Sequence, residues 1–249
     1  MQLQTRWRGP RGAVAFVSIS SKRARKAAQV WWDAGRRDRR KGEGAVRVSI
    51  ITNIVPEYRI DFYRRINRAM PGAISIFCHE RVAGSELRTA IAEGMPPVVP
   101  VRYVGLMNER FGWQRLPVRT LLRTADVLVF YGNPRLASNV VWSLFFRLVG
   151  KKVIVWGQVH TAYAKRWTEA LRLLWWRCFE SIFVYTDYEA ERLRNRGFSK
   201  QTIVGMNNGL DQAAQEREAG RWTAARLVEW QEEKLGRPRQ VILTCARLV

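Results

Sequence analysis

The side chains best suited to chemistry in this 249-residue sequence are two histidines and a set of amides, tyrosines and arginines that follow short apolar runs. His160 comes after the run "KKVIVWG", within "WGQVHTAY", where an imidazole can exchange a proton with a hydroxyl group. His79 ends another run, "AISIFCH", and is the weaker histidine candidate. The stretch "TNIVPEYR" supplies Asn53, Tyr58 and Arg59, and "YGNPRLASN" supplies Asn133 and Arg135. Gln158 follows Trp-Gly directly. Amides, a phenol and guanidinium groups suit a sugar, a lipid headgroup or another hydroxylated acceptor. Each has a structural alternative: an ordinary polar turn, a helix cap, or a hydrogen-bonded histidine. "TNIVPEYR" contains no glycine, which excludes a dinucleotide fingerprint or a phosphate-binding P-loop at that position, because both need backbone N–H groups to approach phosphate closely.

The elements that must position these groups alternate along the chain. Residues 46–52, 73–79, 98–104, 126–132, 151–157, 181–186 and 201–209 read as strands, short and rich in β-branched or aromatic residues. Helical patterns lie between several of them: "YRIDFYRRINRAM", residues 136–149, residues 166–180, and "DYEAERLRNRG" with Gly197 as its stop. Thr186, Asp187 and Glu189 read as a helix start. Strands of this length separated by helices predict an α/β fold, a doubly wound and mostly parallel, Rossmann-like sheet. In such a sheet the working groups sit in the loops beyond the carboxyl ends of the strands, where every candidate above falls.

Composition bounds the partners. The net charge of +22 points to nucleic acid, an anionic membrane surface or an anionic substrate. Residues 1–44 carry twelve Lys/Arg against three acids, so they form a basic head, but the excess continues through the rest of the chain. Eleven tryptophans, including the pairs Trp31–Trp32 and Trp175–Trp176, sit among these bases, a composition found at membrane interfaces. The plainer alternative is solvated charge in an arginine-rich protein. No nucleic-acid motif is present, which leaves nucleic acid the weakest of the three partners. Three widely spaced cysteines give neither a disulfide framework nor metal-ligand spacing. Runs such as Val127–Tyr131 fall far short of the roughly 18–20 residues that span a bilayer. The expected location is cytoplasmic, with peripheral attachment to the inner membrane face as the open refinement.

In order along the chain, "YRIDFYRRI", "YGNPR", "WGQ", "YTDYEAERL" and "NNGLD" resemble the amino-terminal half of glycosyltransferase family 4, and the likeness covers about Val46 to Val249. Members are GT-B enzymes, with two Rossmann-like domains facing across a cleft. The resemblance implies that the first domain holds the acceptor and the second a nucleotide-sugar donor. The second opens with a strand ending in Gly-Arg-Leu, matched here by "TCARLV" with Ala246 in place of the glycine. Arg247 then falls on the arginine that neutralises donor phosphate.

The implied chemistry is transfer of a sugar to a glycan or lipid-linked acceptor, with retention at the anomeric carbon. Neither a metal nor another cofactor is implied, and His160 is the reactive-site candidate. Relatives often place a histidine directly after Trp-Gly, where this chain has Gln158. The family's donor-site lysine and paired glutamates have no counterpart. The expected organisation is therefore a basic head (1–44), an acceptor domain (45–215), a helix and linker (216–240), and the first strand of a truncated donor domain (241–249), inactive or nearly so alone. The alternatives are a non-catalytic acceptor- or membrane-surface-binding module and a basic nucleic-acid-binding protein.

Overall fold

The computed structural model describes residues 46–81, 87–107, 111–159, 166–206 and 212–236. In chain order these form β1 (Val48–Ile51), α1 (Ile60–Ala69), β2 (Ile74–Cys78), β3 (Val98–Pro100), β4 (Tyr103–Leu106) and β5 (Phe111–Gln114). There follow α2 (Val118–Thr124), β6 (Val127–Tyr131), α3 (Ala137–Leu148), β7 (Lys152–Gly157), α4 (Arg166–Trp176), β8 (Ser181–Val184), α5 (Asp187–Asn195) and β9 (Thr202–Gly205). Two further helices, α6 (Gln212–Ala219) and α7 (Ala224–Leu235), complete the described chain.

Seven strands build one sheet in the order β3-β2-β1-β6-β7-β8-β9. Every pairing in it is parallel, with registers such as Ile51 opposite Phe130, Tyr131 opposite Trp156, and Gly157 opposite Val184. Strand order reverses between β1 and β6, the position at which the loops of a doubly wound sheet diverge. The fold is the expected Rossmann-like, doubly wound α/β architecture.

Parallel strands covered on both faces must be apolar on both, and these are. Val48, Ile50, Ile74, Ile76, Val127, Val129, Ile154 and Phe183 join a cluster with Tyr63 of α1. Their neighbours in the chain, among them Ile51, Phe77, Leu128, Phe130, Val153, Val155 and Ile182, point the other way. There they meet Leu121 of α2, Phe146 of α3, Trp175 and Trp176 of α4, and Leu193 of α5. Burying a large apolar side chain contributes about 1.5–3 kcal/mol, so these two layers supply most of the driving force.

Tryptophan placement differs from the expected interfacial surface. Trp156, Trp175 and Trp176 are buried core residues. The indole of Trp175 reaches across to α3, its Nε1–H donating to Ser143 Oγ at 3.0 Å.

Residues 98–104, read as one strand, are two. Pro100 has no N–H to donate, which suits the last position of the edge strand β3 but ends its ladder. The chain then turns into β4, which pairs antiparallel with β5 as a separate two-stranded sheet. The α-helix before the predicted linker also divides. Gly220 and Thr223 separate α6 from α7, and Thr223 caps the second by accepting the Arg226 N–H at 3.2 Å. By contact the chain forms two units, Met1–Leu210 and Asp211–Val249, the second containing α6 and α7. The expected basic head and the strand expected over 241–249 lie outside the described residues. Among the described residues no helix is long and apolar enough to cross a membrane.

Candidate functional site

The carboxyl edge of the sheet gathers a basic and aromatic cluster around Arg59. A one-turn 3₁₀ helix, Glu57–Arg59, precedes α1 and turns Arg59 inward. Its residue is only 4% exposed. The guanidinium carbon lies 4.5 Å from the ring centre of Trp156, 4.8 Å from that of Tyr185 and 5.6 Å from that of Tyr58. Trp156 ends β7 and Tyr185 follows β8, so the rings come from adjacent strands. Burial lowers the pKa of Arg59, but its electrostatic interactions with Tyr185, Tyr58 and Tyr63, together with a hydrogen bond to Tyr185, outweigh that, and the net direction is upward. The group is a permanent cation. Its Nε and Nη2 are buried with no hydrogen-bond partner, and none of the described carboxylates forms an ion pair with it.

Burial pushes the phenol of Tyr131, at the end of β6, up to about 12, with Tyr185, Arg59, Tyr58 and Arg172 all acting on it electrostatically. Burial likewise raises Tyr63 well above the ordinary phenol range. Arg172 belongs to α4 and is buried. Its Nη1 donates to the carbonyls of Gln158 and Val159, each at 3.2 Å, which fixes the loop after β7. Burial lowers the pKa of Arg172, and Arg135 adds to that as a like charge, while Glu169, Tyr131 and Glu189 oppose it. Arg59 and Arg172 therefore both act on Tyr131, and Arg135 acts on Arg172.

Glu189 ties the loops together from below. Thr186 caps α5 by accepting the Glu189 N–H at 3.1 Å, the expected helix start. The Glu189 carboxylate then receives the Val159 N–H at 2.8 Å and the Tyr185 N–H at 3.0 Å. One side chain thus positions both the β7 loop and the tyrosine beside Arg59. Gly132 and Gly157 let β6 and β7 close over Trp176. A Cβ on Gly132 would lie 2.5 Å from Trp176 Cζ2, and one on Gly157 would lie 3.2 Å from the Gly132 Cα.

The predicted site residues separate into three groups. Tyr58, Arg59 and Arg135 belong to the cluster, and Gln158 adjoins it through its carbonyl. Tyr58 is 48% exposed, and the side chains of Arg135 and Gln158 face solvent. Asn53 and Asn133 act first on the backbone. The Asn53 carbonyl accepts the His79 N–H at 2.7 Å, and its side-chain oxygen accepts from Thr52 Oγ1 at 3.3 Å. Asn133 Oδ1 accepts the Arg135 N–H at 3.0 Å, forming an Asx turn, and not the helix cap expected of it. α3 starts only at Ala137, so Pro134 and Arg135 lie in a turn before the helix. His160 and Arg247 lie outside the described residues, as does "NNGLD".

His79 is buried beside Tyr103, their ring centres 4.9 Å apart, with Nε2 unpartnered. Burial pulls its pKa down to about 4, so the imidazole is neutral at pH 7. Tyr131, Tyr185, Trp156, Arg172 and Gln114 carry no site signal in the sequence. Gln114 is fully buried, and its Nε2 donates to the Thr52 carbonyl at 2.8 Å, at the end of β1, while Oε1 has no partner. Among the described residues no group of three or more His, Cys, Asp or Glu is arranged to hold a metal ion. As a whole, the arrangement offers a fixed cation, neutral phenols and buried amides, which is chemistry for binding a polar, negatively charged group. A scan of the chain against protein-family models finds no match, and a search of curated proteins finds none either.

Proposed function

We propose that residues 46–206 are the acceptor-binding domain of a retaining glycosyltransferase of GT-B architecture, acting on a glycan or lipid-linked acceptor. The observation that carries this reading is the Arg59–tyrosine cluster at the carboxyl edge of an all-parallel sheet whose strand order reverses between β1 and β6. Tyr58 and Tyr185 present hydroxyls of the kind that recognise sugars, and Arg59 supplies a fixed charge. In this reading the acceptor rests on the edge, and the nucleotide-sugar donor is held by a facing domain. The residues resembling family motifs, Asn133, Gln158, His160 and Arg247, would line the acceptor and donor sides. Catalysis would rest on orientation and charge placement, with the departing nucleoside diphosphate neutralised by cationic groups.

The test uses the purified chain with a panel of nucleotide sugars and isoprenyl-diphosphate-linked sugars. Acceptor binding is measured by calorimetry and transfer by release of nucleoside diphosphate. Acceptor-dependent release supports the transferase reading. Saturable acceptor binding without release favours a second reading, a non-catalytic acceptor-binding module. That second reading draws on the absence of a free carboxylate or ionisable imidazole within the described cluster. Binding of no sugar-bearing acceptor would sink both.

A further inference from the structure

We infer that Arg59 is the recognition residue for a phosphate or diphosphate group on the ligand. The inference rests on the proposed acceptor site and specifies what the acceptor carries there. Nε and Nη2 are the two nitrogens of one edge of a guanidinium, and together they form the fork that pairs with two oxygens of a phosphate or carboxylate. In Arg59 both are unpartnered and buried. The guanidinium carbon lies over the faces of the Trp156 and Tyr185 rings, and a ring face does not replace an oxygen acceptor for these two N–H groups.

Three further observations fit an anion. The cage contributes no ion pair with a described carboxylate, so no described acid neutralises the cation. Tyr58 and Tyr185 bring phenol rings beside the guanidinium, and a phenol O–H is a donor suited to a phosphate oxygen. Arg172 and Arg59 both act electrostatically on Tyr131, and Arg135 acts on Arg172, so the positive field extends beyond one residue. The nearby acids are engaged elsewhere: Glu189 with two backbone N–H groups, and Glu169 with Arg196. A diphosphate, with more than one negative charge, matches a fork backed by two more arginines better than a single carboxylate does. Tyr58 is the exposed member of the cage and marks the side from which a ligand enters.

The experiment titrates the full chain with inorganic pyrophosphate and follows binding by calorimetry at low and moderate salt. Wild-type protein should bind with salt-sensitive affinity. Arg59→Lys keeps a charge but loses the fork, and Arg59→Gln loses both. Each should weaken binding about tenfold to a hundredfold, with Arg59→Gln the weaker binder. Arg147→Gln, which removes an exposed charge at the end of α3, should leave affinity unchanged. Unaltered affinity in both Arg59 variants overturns the proposal, as does an equal loss in Arg147→Gln.

Should the Arg59 variants fail to fold, the wild-type Nε–H resonance of Arg59, assigned through the backbone, decides the matter. A saturable shift with pyrophosphate supports the site, and an unmoved resonance overturns it. A farnesyl diphosphate arm separates sources: tighter binding than pyrophosphate indicates a lipid-linked ligand, and equal binding indicates a soluble one. Binding of a single-stranded oligonucleotide with no response to either diphosphate also overturns the proposal. Arg59-dependent binding without any glycosyl transfer would remove the transferase reading and leave the anion site standing.

Discussion

Replacing Glu189 with alanine tests whether one carboxylate holds two parts of the site in place. Its Oε1 and Oε2 accept the N–H groups of Val159 and Tyr185 at 2.8 and 3.0 Å. Hydrogen bonds to a charged group contribute about 1.5–3 kcal/mol each. Glu189 is only half-buried, so solvent screening reduces that sum, and water can reach part of what alanine leaves behind. The expected loss for Glu189→Ala is about 2–4 kcal/mol, or about 5–15 °C in Tm for a domain of this size. Thr186→Ala removes only the cap on the Glu189 N–H and should cost about 1 kcal/mol. Urea unfolding followed by circular dichroism measures both. Acceptor or pyrophosphate affinity should also fall in Glu189→Ala, because Tyr185 and the Gln158–Val159 loop lose their common tether. A Glu189→Ala variant no less stable than Thr186→Ala would refute the argument that this carboxylate works across strands.

Three other perturbations have outcomes fixed by the geometry. Gly132→Ala puts a methyl group 2.5 Å from Trp176 Cζ2 and 2.8 Å from Val155 Cγ1, so it should destabilise by about 1–3 kcal/mol in the same urea assay. His79, pulled by burial from 6.5 to about 4, should make native stability fall as pH drops from about 6.5 to 4, because only the unfolded chain takes up the proton in that window. The fall from this group is about 3 kcal/mol, and it should be missing from the wild-type-minus-His79→Leu difference if the imidazole is already charged in the native state. Gln114→Leu removes one hydrogen bond to Thr52 but also an unpartnered buried oxygen, so stability should change by no more than about 1 kcal/mol despite full burial. A larger loss in thermal melts would show that Oε1 has a partner in solution.

The sheet was legible because its strands are buried on both faces. Such strands read as continuous apolar runs, and each of the seven predicted runs overlaps a strand of the parallel sheet. The β4–β5 hairpin was hidden for the opposite reason. It carries Gly105 and Gly112, is partly exposed, and begins just after Pro100, so it shows neither a long run nor clean alternation. The positions of Tyr58, Arg59, Arg135 and Gln158 beyond strand ends could be read from the order of the apolar runs. Tyr131 and Tyr185 were read as the last residues of apolar strands, since an aromatic at that position is good strand composition. Arg172 in mid-helix looks like any solvated helical arginine. The capping role of Thr186 could be read within four residues, whereas the bond from Glu189 to Val159 spans thirty and depends on β7 and β8 being neighbours.

Arg59 brings these strands of reasoning to one physical point. Burying a guanidinium away from water without a carboxylate costs several kcal/mol. Cation–π contacts with Trp156, Tyr185 and Tyr58 return about 0.5–2 kcal/mol each, so they offset the desolvation of the guanidinium faces. They do nothing for Nε and Nη2, whose N–H groups lie in the plane of the group. For stability alone, a leucine or methionine in the same aromatic setting would avoid the penalty entirely. The sequence keeps an arginine instead, turns it inward on a one-turn 3₁₀ helix, and sets it among the rings of Trp156, Tyr185 and Tyr58. The energy left unrecovered sits on one edge of one side chain, at the carboxyl edge where an α/β sheet binds its ligands. An anion seated on that edge would recover it, so the proposed site would draw its affinity from a buried charge that no described carboxylate pairs.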